Sequence, residues 1–286
     1  MNESRVSIGL VQMAMGADMA ANLEKAVAGI RAAAQRGAEI VALPELFRSP
    51  YFCVQHECPV DYTDEIPGPV TDTLCSLSRT LGIVIVGGSI FERTSPSAAR
   101  YNTALVFDTD GSIAGSYRKS HIPHDEAFFE KDYFAPGDTG FKVFKTAKGA
   151  ISVLICFDQW FPEAARACAL DGAEIIFYPT AIGNVDGLGQ PEGNWHDAWE
   201  TVQRGHAIAN NVVVAAINRV GTEGTSHFWG GSFICDAFGT VLSRGGVGEE
   251  VIVSSIDKSH APLVREGWGF IRNRRPELYT PLTKRI

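Results

Sequence analysis

The absences in this chain narrow its function before any motif is read. Its 286 residues contain no Lys/Arg-rich block and no apolar run approaching the roughly 18 residues that cross a bilayer. Acidic side chains outnumber basic ones, 33 to 25, for a formal net charge of −8, which argues against a nucleic-acid groove. The basic cluster Arg272, Arg274 and Arg275 is interrupted by Asn273 and reads as a solvated or ion-paired segment. The six cysteines form no CxxC pair and no compact framework, so six free thiols in a reducing cytoplasm are expected. The opening MNESRVSIGLVQM lacks an export h-region and reads as a first strand. Neither nucleic acid nor membrane is expected as a partner.

What is present is ordinary globular material, 45% apolar and 20% charged, enough for a full core. Residues 1–286 read as one domain with an irregular segment from about residue 257. Periodicity predicts strands at 6–12, 40–43 and 83–86, the last continuing through a glycine pair toward Phe91, and helices at 18–36 and 69–81. Residues 102–107 and 112–118 flank Asp108-Thr109-Asp110-Gly111, a hairpin signal, and Lys119 follows its second arm. Further on, a helix is expected at 162–170, a strand at 174–178, a glycine-rich loop at 183–193 placed to lie over a site, and a helix at 194–210. Strands at 212–217 and 250–256 and a hairpin at 231–243 complete the reading. Gly37-Ala38-Glu39-Ile40-Val41-Ala42-Leu43-Pro44 is echoed by Gly172-Ala173-Glu174-Ile175-Ile176-Phe177-Tyr178-Pro179, and the Asp108–Gly111 turn by Asp236–Gly239. Two echoes at similar offset predict two α/β halves of similar build.

The stretch ISVLICFDQWFPEAAR organises the rest. The apolar run from Ile151 to Ile155 leads straight into Cys156, and Pro162 opens a helix, where its missing N–H costs nothing. Cys156 therefore belongs to a strand-to-helix turn, the place where reactive groups collect in open α/β sheets. Taken alone it reads more readily as a buried structural thiol. Glu45 follows the second strand and Lys119 the hairpin, so three reactive types occupy comparable strand ends. Singly, the Glu reads as a helix-start acid and the Lys as a surface charge. Together they are what amide hydrolysis requires. A thiol is only a few per cent ionised at neutral pH and needs a base, and Glu45 supplies one. Lys119 and the backbone N–H of Phe157 supply oxyanion donors.

The motifs LPELF, YRKSHIP and LICFDQWFPEAAR resemble those of the nitrilase, or carbon–nitrogen hydrolase, superfamily, and the likeness runs from VSIGLVQM to NRRPELY. The resemblance implies an α/β fold, a four-layer α-β-β-α sandwich of two pseudo-symmetric halves, with Glu45 as base, Lys119 as oxyanion stabiliser and Cys156 as nucleophile. It implies a supporting glutamate at Glu130, no cofactor, no metal, a small-molecule substrate and a homo-oligomer. The segments EKDYFAPGDTGFKVF and GAEIIFYPTAIG resemble the N-carbamoylputrescine amidase branch in particular, which implies a carbamoyl amine substrate. The stretch 124–129 departs from that branch, as does Phe157 where Trp is usual. By motif position Tyr51, Asp125, Glu126 and Trp160, with Thr180 after the echoed strand, are candidates to line the substrate pocket; the two acids could equally face solvent. A carbamoyl amino acid or ω-amide is the alternative substrate. A metal-dependent hydrolase using His121 and His124 with Asp125 or Glu126 is a competing reading without a completed ligand set. A silent binding subunit is another, against which all three triad positions keep their reactive types.

Overall fold

Short β-branched runs form the centre of each half because every one of their side chains is buried, as in parallel strands covered on both faces. The computed structural model describes residues 4–95 and 99–284. The first half contains β1 (Arg5–Gln12), α1 (Met19–Gln35), β2 (Ile40–Ala42), β3 (Thr63–Asp64), α2 (Pro69–Leu81), β4 (Val84–Val86), β5 (Ile90–Arg93), β6 (Arg100–Phe107) and β7 (Ile113–Arg118). The second contains β8 (Phe144–Thr146), β9 (Gly149–Val153), α3 (Pro162–Leu170), β10 (Ile175–Pro179), β11 (Gly183–Val185), α4 (Trp195–Asn210), β12 (Val213–Ile217), β13 (Val220–Glu223), β14 (Ser226–Trp229), β15 (Phe233–Cys235), β16 (Val241–Arg244), β17 (Glu250–Asp257) and α5 (His260–Trp268).

The helices begin and end where their chemistry dictates. Asp18 caps α1 by accepting from the Ala20 and Ala21 N–H groups. Pro69 and Pro162 open α2 and α3, and Gly82 closes α2 in the left-handed region at φ +64.

The strand orders make the repeat explicit. The first sheet runs β17-β1-β2-β4-β6-β7 and the second β8-β9-β10-β12-β15-β16. In both, three central strands are parallel and the pairings that flank them along this order antiparallel; the first sheet adds β5 on β6 and, at its edge, β3 parallel to β5. The echoed octapeptides supply the equivalent strands β2 and β10. One face of the first sheet (Ile8, Leu10, Ile40, Ala42, Val84, Val86) shares a core with Ile151, Val153, Ile175 and Phe177 of the second. Its other face packs Val11, Val41 and Ile85 on Ala26, Ile30, Leu74 and Leu77 of α1 and α2. Helices α3 and α4 cover the far side of the second sheet through Ala164, Cys168, Trp199 and Ala207. The result is an α-β-β-α sandwich.

Four features differ from the sequence reading. The segment from about 257 is not irregular at first: α5 follows β17 directly, with Val264 buried and Gly269 as its left-handed cap. Residues 183–185 are strand β11, paired with β14, before the glycine-rich loop begins. The β13–β14 hairpin was not anticipated. The continuation from 83–86 toward Phe91 is a strand broken in two, β4 and β5 lying successively along β6. The break at Gly87–Ser89 positions the turn after β2. Ser89 Oγ accepts from the Leu46 N–H at 3.0 Å, and Gly88 has φ +58 with room for no Cβ, which would sit 2.1 Å from the Pro44 carbonyl oxygen. Gly88→Ala is therefore expected to destabilise the fold by about 2 kcal/mol or more, read by denaturant unfolding; an unchanged midpoint would contradict this account.

Candidate active site

Three chain segments meet at one end of the sandwich. Glu45 lies three residues beyond β2, Lys119 directly after β7, and Cys156 three residues beyond β9. All are buried, as is Glu130. The Lys119 Nζ donates to Glu45 Oε1 at 2.8 Å and to Glu130 Oε2 at 2.6 Å. Asn102 Nδ2 also donates to Glu45 Oε1, at 2.8 Å, and the Tyr51 hydroxyl donates to Glu130 Oε1 at 2.8 Å. Glu45 Oε2 is buried and has no partner among the described residues. One oxygen of the carboxylate is thus held while the other stays available to exchange a proton.

The electrostatics follow from two carboxylates and one ammonium in a dry site. Burial alone would push the Lys119 ammonium down, but Glu130 and Glu45 overcome it and hold its pKa well above the ordinary value. Burial drives Glu130 up to about 7, against the pull of Lys119 and with the push of Glu45. The Cys156 thiol is raised well above its usual value by burial first and by Glu45 second, Lys119 opposing. Burial therefore disfavours the thiolate, and a neighbour able to take its proton offsets that cost.

Backbone geometry aims the sulfur. Cys156 has φ +43, uncommon for a residue with a Cβ, and opens the 3₁₀ turn Cys156–Trp160. Phe157 follows in its first turn, where helical N–H groups lack internal acceptors. Two buried ions hold the surrounding turns. Asp158 accepts from the Ile155 N–H at 2.9 Å. Arg219, just past β12, donates to the carbonyl oxygens of Glu45 at 2.7 Å and Leu46 at 3.0 Å. Its partner Glu223 (2.9 Å) also accepts from the Tyr51 N–H.

A cavity of about 510 Å³ opens over Cys156 and Glu130. Tyr51, Phe157 and Trp160 line it, with Asp125 and Glu126 at its exposed mouth. Thr180 does not line it. Its N–H continues the sheet by bonding the Ile217 carbonyl at 2.8 Å, its hydroxyl turns back to Tyr178 O at 2.9 Å, and Ala181 forms the wall instead. His121 and His124 do not converge either: His121 Nδ1 lies 2.7 Å from Asp158, while His124 is exposed and edge-on to Phe129. Asn102, Asp158 and Arg219 were missed, as were Glu192 and Trp195, which extend the acidic and aromatic mouth. A charged residue two positions after a β-branched strand was the one available signal for Arg219.

A model of the carbon–nitrogen hydrolase family matches residues 7–266. The chain belongs to that family. It is 44% identical to the N-carbamoylputrescine amidase of Solanum lycopersicum over 97% of this chain and 94% of the relative. It is 39% identical to a citrullinase of Francisella tularensis over 99% of both. The crystal structure of a carbon–nitrogen hydrolase from Helicobacter pylori superposes with a TM-score of 0.88 at 36% identity, covering 98% of this chain and 99% of that one. A variant of the amidase from Nesterenkonia sp. AN1, carrying the acetamide moiety of fluoroacetamide on its active-site cysteine, matches at 0.80 and 27%, with 98% and 97% covered. This carbon–nitrogen hydrolase is an amidohydrolase acting on a small-molecule substrate. No helix among the described residues is long and apolar enough to cross a membrane.

The raised Glu130 pKa fixes a sign. Its folded value, about 7, lies above the ordinary 4.5, so its contribution to stability is full below pH 4.5 and is lost as pH rises through 7. Glu130→Gln should remove that slope from the pH dependence of unfolding between those limits. A slope unchanged in the variant would refute the assignment.

Proposed function

We propose that this amidohydrolase cleaves N-carbamoyl amines through a Cys156 acyl-enzyme, with N-carbamoylputrescine as the favoured substrate. The observation that carries the chemistry is the Lys119 ammonium held between Glu45 and Glu130, the second of which lines the cavity together with Cys156. As Cys156 Sγ attacks the ureido carbonyl carbon, the thiol proton passes to the unpartnered Oε2 of Glu45. The carbonyl oxygen becomes an oxyanion, stabilised by Lys119 and the Phe157 N–H. Glu45 gives its proton to the first departing nitrogen, then takes one from the water that cleaves the thioester and returns it to the Cys156 sulfur; the carbamic acid released then loses its remaining nitrogen as carbon dioxide forms. One water and one N-carbamoylputrescine yield putrescine, carbon dioxide and ammonia. Charge is conserved within the cluster at each transfer, which suits a site where an isolated thiolate is costly.

The mouth supports a substrate with a cationic far end. Asp125, Glu126 and Glu192 stand beside Trp160 and Trp195, and acidic and aromatic groups together suit an alkylammonium. The Trp195 indole N–H donates to Glu192, which fixes that carboxylate in the wall. Likeness to an N-carbamoylputrescine amidase supports the same reading, whereas the citrullinase relative favours a carbamoyl amino acid.

Cys156→Ala should abolish turnover with the fold retained, and Lys119→Ala should lower kcat by about 10²–10³, the scale of one lost oxyanion donor. Ammonia release should be fastest with N-carbamoylputrescine in a panel that includes carbamoyl-β-alanine, citrulline and an ω-amide. Wild-type rates in either variant would sink the mechanism; equal turnover of carbamoyl-β-alanine would sink the substrate.

A further inference from the structure

Glu45, Asn102, Lys119 and Glu130 come from the first sheet and its loops, whereas Cys156 comes from the second. The base and oxyanion donor must therefore be registered against a nucleophile on a separate layer. The backbone bonds at Lys119 do not do this: its N–H donates to Asn102 O at 2.9 Å and its carbonyl accepts from Gly137 at 2.8 Å, neither in the second sheet.

We propose that Asp158 is a positioning residue that sets Lys119 against Cys156 by fastening the nucleophile's turn to the end of β7. Its carboxylate is fully buried and meets donors from both sides. On the Cys156 side, Oδ2 accepts from the Ile155 N–H at 2.9 Å, and the Asp158 N–H returns to the Ile155 carbonyl at 3.0 Å. This reciprocal pair brackets Cys156, whose left-handed backbone persists only where its surroundings over-determine it. On the Lys119 side, the Tyr117 hydroxyl donates to Oδ2 at 2.7 Å and the His121 N–H to Oδ1 at 3.0 Å. The His121 ring nitrogen Nδ1 lies 2.7 Å from Oδ1, and that ring is stacked on Phe161 at 3.6 Å, so the imidazole is braced as well.

Tyr117 and His121 stand two residues to either side of Lys119, so the bonds grip the segment that carries the ammonium. A carboxylate suits the task because it is acceptor-only at both oxygens. An asparagine would present an NH₂ to the groups around one oxygen, opposing either the Ile155 and Tyr117 donors at Oδ2 or the His121 N–H at Oδ1.

This inference rests on the roles given to Lys119 and Cys156 above, and Lys119→Met alone tests those roles. The strap is tested by coupling, using the fastest substrate of the panel. Asp158→Asn should lower kcat about tenfold or more with KM within about threefold. In a Lys119→Met background the same change should cost less than about twofold, because the group it positions is gone. Equal factors in the two backgrounds, or a raised KM with kcat intact, would overturn the proposal. Should Asp158→Asn fail to fold by circular dichroism, Tyr117→Phe removes only the hydroxyl donor and enters the same cycle. It should cost about threefold alone and nothing beside Lys119→Met; no loss alone would overturn the strap.

Discussion

One ammonium shared by two carboxylates governs this structure. Lys119, fully buried between Glu45 and Glu130, would be intolerable without them, and they would repel each other without it. Each is held by further donors, Asn102 on Glu45 and Tyr51 on Glu130, so that the cluster is a network of fixed positions. Burial disfavours the thiolate form of the neighbouring Cys156, with Glu45 adding to that effect and Lys119 opposing it.

The cluster dictates much of what surrounds it. Three segments must end at one place, which the two packed sheets achieve by aligning strand ends from both layers. The turn carrying Glu45 must approach the broken strand β4–β5 closely, which requires Gly88 at its positive φ. The cavity is open over Cys156 and Glu130, and the packing of Tyr51 with Phe128 and Phe228 walls it from one side.

Much of this was legible in the sequence because it rests on local chemistry. Pro162 at a helix start, Asp108–Gly111 at a hairpin turn and the echoed octapeptides all declare their geometry within a few residues, and Glu45, Lys119 and Cys156 each lie just beyond a strand. The pairing of β2 with β10 as equivalents was sound, yet the step from it to Thr180 was not. Strand β10 stays hydrogen-bonded to β12 through Thr180, so that side chain remains inside the sheet while Glu45 has already left it. The β13–β14 hairpin was invisible because its two four-residue arms, Val-Gly-Thr-Glu and Ser-His-Phe-Trp, carry too little apolar pattern. Asn102 and Arg219 act on partners 57 and 174 residues away, and no periodicity encodes such a distance. The helix α5 is short and mostly exposed, which leaves almost no buried stripe to detect.

Arg219 carries a last consequence. Its guanidinium, rooted in the half that bears Cys156, is the hand that holds two successive peptide carbonyls of the turn carrying Glu45. The carboxylate is therefore not simply a possession of the first half; its placement is on loan from the second. A small separation of the two sheets would slacken that turn while every helix and strand remained intact. Competence in this molecule is then a property of docking between halves, and it would fade under mild perturbation before the secondary structure gave any sign of melting.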